Sequence, residues 1–210
     1  MKKKRSKKKK FSFFGEYKKC WDFLKNSREY IYFAVLVFFI FVVIGFFFED
    51  LINIFFKSIF NFDLKENILD YIAELLLATE GMGARELIGY IFLNNLQSSF
   101  LGIIFGIFFG IFPFVATIFN GYLLGFVAIL SVKEQGILVL WRILPHGIFE
   151  LPAIFISFAL GFRLGIYVFR EKEKYSFKEL IFHSLRVFLL VIFPLLVVAA
   201  IIEGILIGFG

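Results

Sequence analysis

The sequence predicts an all-α polytopic membrane helix bundle, with about five transmembrane helices, a short re-entrant segment and an outer amphipathic helix. Three observations carry this. First, 60% of the 210 residues are hydrophobic, more apolar surface than a soluble domain of this length can hide. Second, several apolar runs reach the roughly 20 residues that a spanning helix requires. Third, the runs lack the alternating polarity of a membrane barrel. The 34 phenylalanines are read as lipid-facing or core bulk rather than as a binding box.

The formal charge is +6, and its placement matters more than its sum. Eight lysines and arginines fall in residues 1–10, a run too charged to fold alone. It reads as a cytoplasmic tail attracted to anionic lipid headgroups. It has no interleaved aromatics or folded module, so no nucleic-acid partner is expected. Residues 11–29 mix aromatics with charges, as suits an amphipathic segment on the inner face. Cys20 is the single cysteine, so there is no internal disulfide and no cysteine-based metal site.

Residues 30–48 form the first predicted span, an uncleaved anchor whose basic flank places the amino terminus in the cytoplasm. Residues 49–86 then fall outside, with eight acidic and three basic residues. Within them, 61–80 reads as an amphipathic helix. Asn61 or Asp63 can cap it, Leu64, Ile68, Ile72 and Leu75 recur at helical spacing, and Gly81-Met82-Gly83 ends it. Its acidic stripe, Glu66, Asp70 and Glu74, reads as a solvated face.

The second span, 87–112, returns inward carrying Asn94 and Asn95, then Gly102, Gly106 and Gly110 at every fourth residue. That spacing lets another helix approach closely. Pro113 marks a tight inner turn, and 114–132 runs back out past Asn120, expected to bond across to another helix. Residues 133–147 are the outer connection, within which Ile137 to Leu144 is predicted to dip back into the protein as a short re-entrant helix. Pro145 and Gly147 are expected to break it beside His146. The fourth span, 148–169, carries Gly161 and Gly165; the fifth, 187–209, carries a kink at Pro194. Between them Arg163, Arg170, Lys172, Lys174, Lys178 and Arg186 mark a cytoplasmic junction, where His183 reads as an interfacial residue without chemistry. The carboxyl terminus ends outside.

Residues 141–153 place Arg142, His146 and Glu150 in an otherwise apolar run, and Glu203 lies in the last span. Ionisable groups in a bilayer cost at least a few kcal/mol each and need partners or a purpose. At about 1.5 Å per residue, Glu203 lies roughly 24 Å along a span entered from inside at residue 187. With Arg142, His146, Glu150 and Asn94 it falls in the outer half of the membrane. Asn120 sits nearer the inner half, as helix glue. The groups can form a structural polar cluster, with Asn94 and Asn95 filling the remaining bonds. They can line a cavity for a ligand, lipid headgroup or ion. Or His146, Glu150 and Glu203 can bind one divalent metal for an intramembrane hydrolase. No cofactor is expected.

Asn94, the Asn120-Gly121 pair, Pro145-His146-Gly147 followed by Glu150, and Ala200-Ile-Ile-Glu203 together resemble the stage II sporulation protein M family. The resemblance covers roughly residues 30–210. It implies an integral plasma-membrane protein of about five helices. In endospore formers, the family member sits in an engulfment complex whose partners cut peptidoglycan, and it recruits or anchors them. It implies no catalytic residues. The leading expectation is a membrane scaffold or assembly subunit, with membrane-protein partners and homo-oligomers, commonly dimers, joined through the glycine faces. The alternative is a transporter-like subunit using the outer cavity, served by a separate ATPase because the chain has no phosphate-binding loop.

Overall fold

A computed structural model of the chain describes residues 12–170 and 173–209; the side chains at 84, 142–146 and 203–209 lie outside that description. The helices are α1 (Phe13–Asn26), α2 (Arg28–Phe47), α3 (Glu49–Phe60), α4 (Leu64–Thr79), α5 (Ala84–Phe105), α6 (Ile111–Gln135), α7 (Leu140–Ile166), α8 (Phe177–Val187) and α9 (Phe193–Phe209). Among the described residues there is no strand. Five segments are long and apolar enough to cross a membrane: Arg28–Phe47, Arg85–Phe105, Ile111–Gln135, Gly147–Phe169 and Phe177–Ile202. The all-α expectation holds. Its reason is that in hydrocarbon a chain must satisfy its backbone groups internally, and a helix does so within one segment.

The span of α7 is 67% buried, against 17–33% for the other four, so α7 is the hub. Two glycine seams set the approach of its neighbours. On α2 and α6, a Cβ at Gly125 would overlap the Val42 carbonyl oxygen, and one at Gly45 would overlap that of Tyr122. At Gly121 it would stand 2.5 Å from the Phe38 carbonyl oxygen. Between α5 and α7, a Cβ at Gly106 would strike the Gly161 backbone, and one at Gly165 the backbone of Gly110. One at Gly102 would meet the Phe158 ring at 2.6 Å. Gly102, Gly106, Gly110, Gly161 and Gly165 thus serve packing inside the chain. The expectation that these faces join separate copies is corrected.

Two proline expectations also change. Pro113 does not make the turn. The second span ends at Phe105, and residues 106–110 turn, with Phe109 and Gly110 at φ 56° and 70°. Pro113 falls in the first turn of α6, where a missing N–H costs no helix bond. Nor does the chain break at Pro145 and Gly147. It turns at Gly136, φ 82°, makes one 3₁₀ turn over Ile137–Val139, and enters α7, which is continuous from Leu140 to Ile166. The predicted separate re-entrant helix is therefore the first part of α7. In an apolar setting, one bond lost to a proline costs less than the several orphaned by an open loop. Upstream of Pro194 the ladder widens into a π-turn, Phe188–Ile192, that joins α8 to α9.

The segment between the first two spans is two helices rather than one. Asn61, at φ 51°, closes α3, and the Asp63 carboxylate caps α4 by accepting the Glu66 N–H at 3.1 Å. The α3–α4 hairpin is tied by Lys65–Asp50 at 2.9 Å and by Lys57–Asp63 at 3.0 Å. Ile68 of α4 is buried with Tyr122 and Phe126 of α6. The turn expected at 81–83 is present, with Gly81 at φ 76°. At the other end, α1 is amphipathic as predicted. Cys20, Phe23 and Leu24 are buried while Phe14 and Trp21 are exposed.

Gly125→Ala should lower the melting temperature of the detergent-solubilised protein markedly, because its clash is with backbone. Gly89, which has nothing within 4 Å of a new Cβ, is the matched control. Gly89→Ala should be neutral or up to about 1 kcal/mol more stable through helix propensity.

Candidate functional site

The longer α7 sets Glu150 further along its helix. It is the eleventh residue of that helix rather than the third of a span beginning at 148. It therefore lies about 15 Å along the helix from the Leu140 end. There Glu150 and Asn120 line one recess of about 390 Å³ between α2, α6 and α7, floored by Phe38, Leu123 and Ile154. Asn120 was set apart by depth in the sequence reading, yet it shares this recess. Its Nδ2 donates to the Ala116 carbonyl at 2.7 Å, one turn back on its own helix, not across to a neighbour. Asn94 is exposed on the side of α5 away from the bundle, and Asn95 is half-buried. Neither lines the Glu150 recess. Arg142, His146 and Glu203 have helical backbone, but their side chains lie outside the described residues, and with them the candidate metal set.

A second polar centre was missed. Arg163 of α7 is 3% exposed and Glu173, after it, has a 6% exposed side chain. Arg163 Nη2 donates to Glu173 Oε1 at 2.5 Å and Nε to Oε2 at 3.5 Å. Its Nη1 donates to Ser27 Oγ at 2.7 Å, and that hydroxyl donates to the Phe23 carbonyl at 2.9 Å. The guanidinium lies against the rings of Phe23 and Tyr175, 4.8 and 5.2 Å away, and the two rings meet edge to face at 5.4 Å. His183 stacks on Phe23 at 5.0 Å, and Arg186 pairs with both His183 Nδ1, at 3.1 Å, and Glu16, at 2.9 Å. Arg170 pairs with Glu29 at 3.2 Å. The network therefore clamps α1, α2, α7 and α8 at one end of the bundle.

The signal was present but was read as charge alone. Arg163 is followed by six uncharged residues, 164–169, so it belongs to the apolar run and not to its flank. A charge there needs a partner, and the near acidic residues stand in the loop that follows. Burial pushes the Glu173 carboxyl up. The Arg163 hydrogen bond and charge, with the N–H groups of Lys174 and Tyr175, outweigh it and leave the carboxyl below its ordinary value. Chemically this centre is a buried ion pair held by three guanidinium hydrogen bonds, a staple rather than a reactive group. At the far end Lys133 and the buried Glu49 pair at 2.7 Å, tying α3 to α6.

Five apolar helices, four of them around the glycine-packed α7, with Asn120 meeting Glu150 of that hub in one recess, can now be set beside known proteins. The family model for stage II sporulation protein M matches residues 34–206. The chain belongs to the stage II sporulation protein M family. It is a multi-pass membrane protein of that family. A relative, the uncharacterized protein MJ0793 of Methanocaldococcus jannaschii, is 38% identical over 116 residues. That match takes in 52% of this chain and 65% of the relative, so the chain spans less than two thirds of the relative's length. No solved structure matches. The family's matched stretch includes the Asn120–Glu150 recess and Arg163, but not Ser27.

Removing one partner of the Arg163–Glu173 pair leaves a buried charge. Arg163→Gln or Glu173→Gln should therefore cost about 3–5 kcal/mol, read as a fall in melting temperature at pH 7. The lowered Glu173 value adds a pH signature. Its contribution is complete above the unfolded carboxyl value of roughly 4.3 and is lost as pH falls through the lower folded value. Wild type should lose stability across that window, and Glu173→Gln should show a shallower loss.

Proposed function

We propose that the chain is a plasma-membrane scaffold or assembly subunit that self-associates through the outward face of α5. The single observation carrying this reading is the exposure of Asn94 and Gln97 on that helix. Gln97 lies three residues after Asn94, so the two share one face, with the exposed Leu93 beside them. Asn94 is about 15 Å along α5, at the depth where lipid offers no hydrogen bonds. A carboxamide both donates and accepts, so two copies about a twofold axis satisfy each other. The glycine seams are filled within the chain and are not free for this purpose.

In this reading the amino terminus is cytoplasmic and the carboxyl terminus extracellular. The support is the positive-inside rule: Lys25, Arg28, Arg170 and Lys174 gather at the Arg163 end, and the acidic α3–α4 hairpin stands at the other. The basic tail meets anionic headgroups on the cytoplasmic side. A rigid hub and a projecting hairpin suit a subunit that positions other membrane proteins. A second reading, a transporter-like subunit, draws support from the recess shared by Asn120 and Glu150. Asn120→Leu should then abolish flux of an ion or small ligand across vesicles and leave dimers intact.

The scaffold reading is tested by cross-linking. In a Cys20→Ser background, Leu93→Cys should form a disulfide-linked dimer in native membranes. Adding Asn94→Leu and Gln97→Leu should reduce it about tenfold, matching 1–2 kcal/mol for such bonds in membranes. A chain monomeric by single-molecule photobleaching, or a variant that dimerises as well as its parent, would refute it.

A further inference from the structure

Two apolar troughs flank Trp21 of α1. One, of about 840 Å³, runs between α1, α7 and the α8–α9 junction, along Leu24, Ile156, Val191, Leu195 and Val198. The other, of about 510 Å³, runs between α1, α2 and α7, along Leu24, Ile31, Phe155 and Ile156. Trp21, Leu24 and Ile156 belong to both, so the troughs part from a single ridge. Each has cations among its lining residues, all contributed by α1 and the start of α2. Lys18 belongs to the first, Lys25 and Arg28 to the second. Lys25 lies over the Trp21 ring at 5.4 Å, so its stem rests on the ridge. The aromatic rim, Phe14 and Trp21, is 83% and 60% exposed, as side chains at a headgroup boundary are.

We infer that this cleft binds one anionic diacyl phospholipid, with a tail in each trough and its phosphate held by Lys25 and Arg28. The shape argues for two tails rather than one inserted helix, because a helix is about 10 Å across and fills one groove, not two that diverge. The charge argues for an anionic head. Cations are confined to one end of an otherwise apolar lining, which matches the distribution of polarity along a phospholipid and not along a spanning helix. The site differs from the attraction of the basic tail in being local. It joins α1 to the hub through a molecule that touches both.

Trp21 reports on the site directly. Trp141→Phe leaves Trp21 as the chain's single tryptophan. The full chain in that background is reconstituted into phosphatidylcholine vesicles carrying either brominated phosphatidylglycerol or brominated phosphatidylcholine. Phosphatidylglycerol should quench Trp21 at a mole fraction about fivefold lower. Lys25→Gln with Arg28→Gln should abolish that preference, and both residues are exposed enough to change without unfolding, checked by circular dichroism. Replacing the eight tail cations by glutamine should leave the preference within about twofold. Native mass spectrometry should find one phosphatidylglycerol carried through detergent by the parent and none by the double variant. Equal quenching by the two lipids, a preference that survives Lys25→Gln/Arg28→Gln or collapses with the tail substitutions, or no lipid carried through, would overturn the site.

Discussion

Backbone-to-backbone contact between helices is the constraint from which the rest follows. Lipid tails are as apolar as leucine, so burial of grease cannot by itself choose one helix arrangement over another. Close approach can. At Gly121 and Gly125 the α6 backbone meets carbonyls of α2, and at Gly161 and Gly165 the α7 backbone meets the Gly102–Gly110 stretch. Van der Waals attraction at those separations depends on shape alone, and any Cβ removes it. These two seams fix α2 against α6 and α5 against α7. The Asn120–Glu150 recess then lies where α2, α6 and α7 meet. The Arg163 staple locks the basic end once α1 folds over it.

Much of this was legible in the residues, and what was not has one cause. Five apolar runs gave five segments, since length and hydropathy decide whether a helix can span. Glycines four apart marked close packing correctly, yet spacing cannot say whether the partner helix is in the same chain. The element ends shifted at two prolines, Pro113 and Pro145. Pro113, Pro145, Pro152 and Pro194 all lie within helices. Rules learned in water treat proline as a stop because water accepts the freed backbone groups; hydrocarbon does not. Starting α7 eight residues earlier sets Glu150 further along its helix, and Glu150 and Asn120 line one recess.

The charged groups were read by count and flank, which finds the basic end but not its interior. Arg163 was grouped with Arg170 and Lys174, although it is buried while Arg170 is partly exposed. An exposed cation is settled by water and needs no partner. A buried one must be met by donors and acceptors already in place, here Glu173 and Ser27 from opposite sides in sequence. No periodicity links Ser27 to Arg163, since they are 136 residues apart and meet only through the fold. The reading of Asn94 had the opposite fate. It was read in the outer half of its span and assigned to the polar cluster, but its helix turns it outward.

The two ends of the bundle are held by different physics. At the Arg163 end the ion pair is buried, with Phe23 and Tyr175 against the guanidinium, and its neighbouring pairs reach four helices. At the other end the α3–α4 hairpin rests on Lys65–Asp50 and Lys57–Asp63, whose Asp50 and Lys57 side chains are 70% and 64% exposed. Exposed pairs are screened by salt and contribute a fraction of a kcal/mol each. What anchors the hairpin is therefore the burial of Ile68 against Tyr122 and Phe126, with Glu49–Lys133 at its root. A body clamped at one end and lightly seated at the other concentrates its low-cost motion in the hairpin. That is the element with the acidic stripe and the exposed apolar face of α3, and so the element best able to adjust to a neighbour while the hub stays fixed.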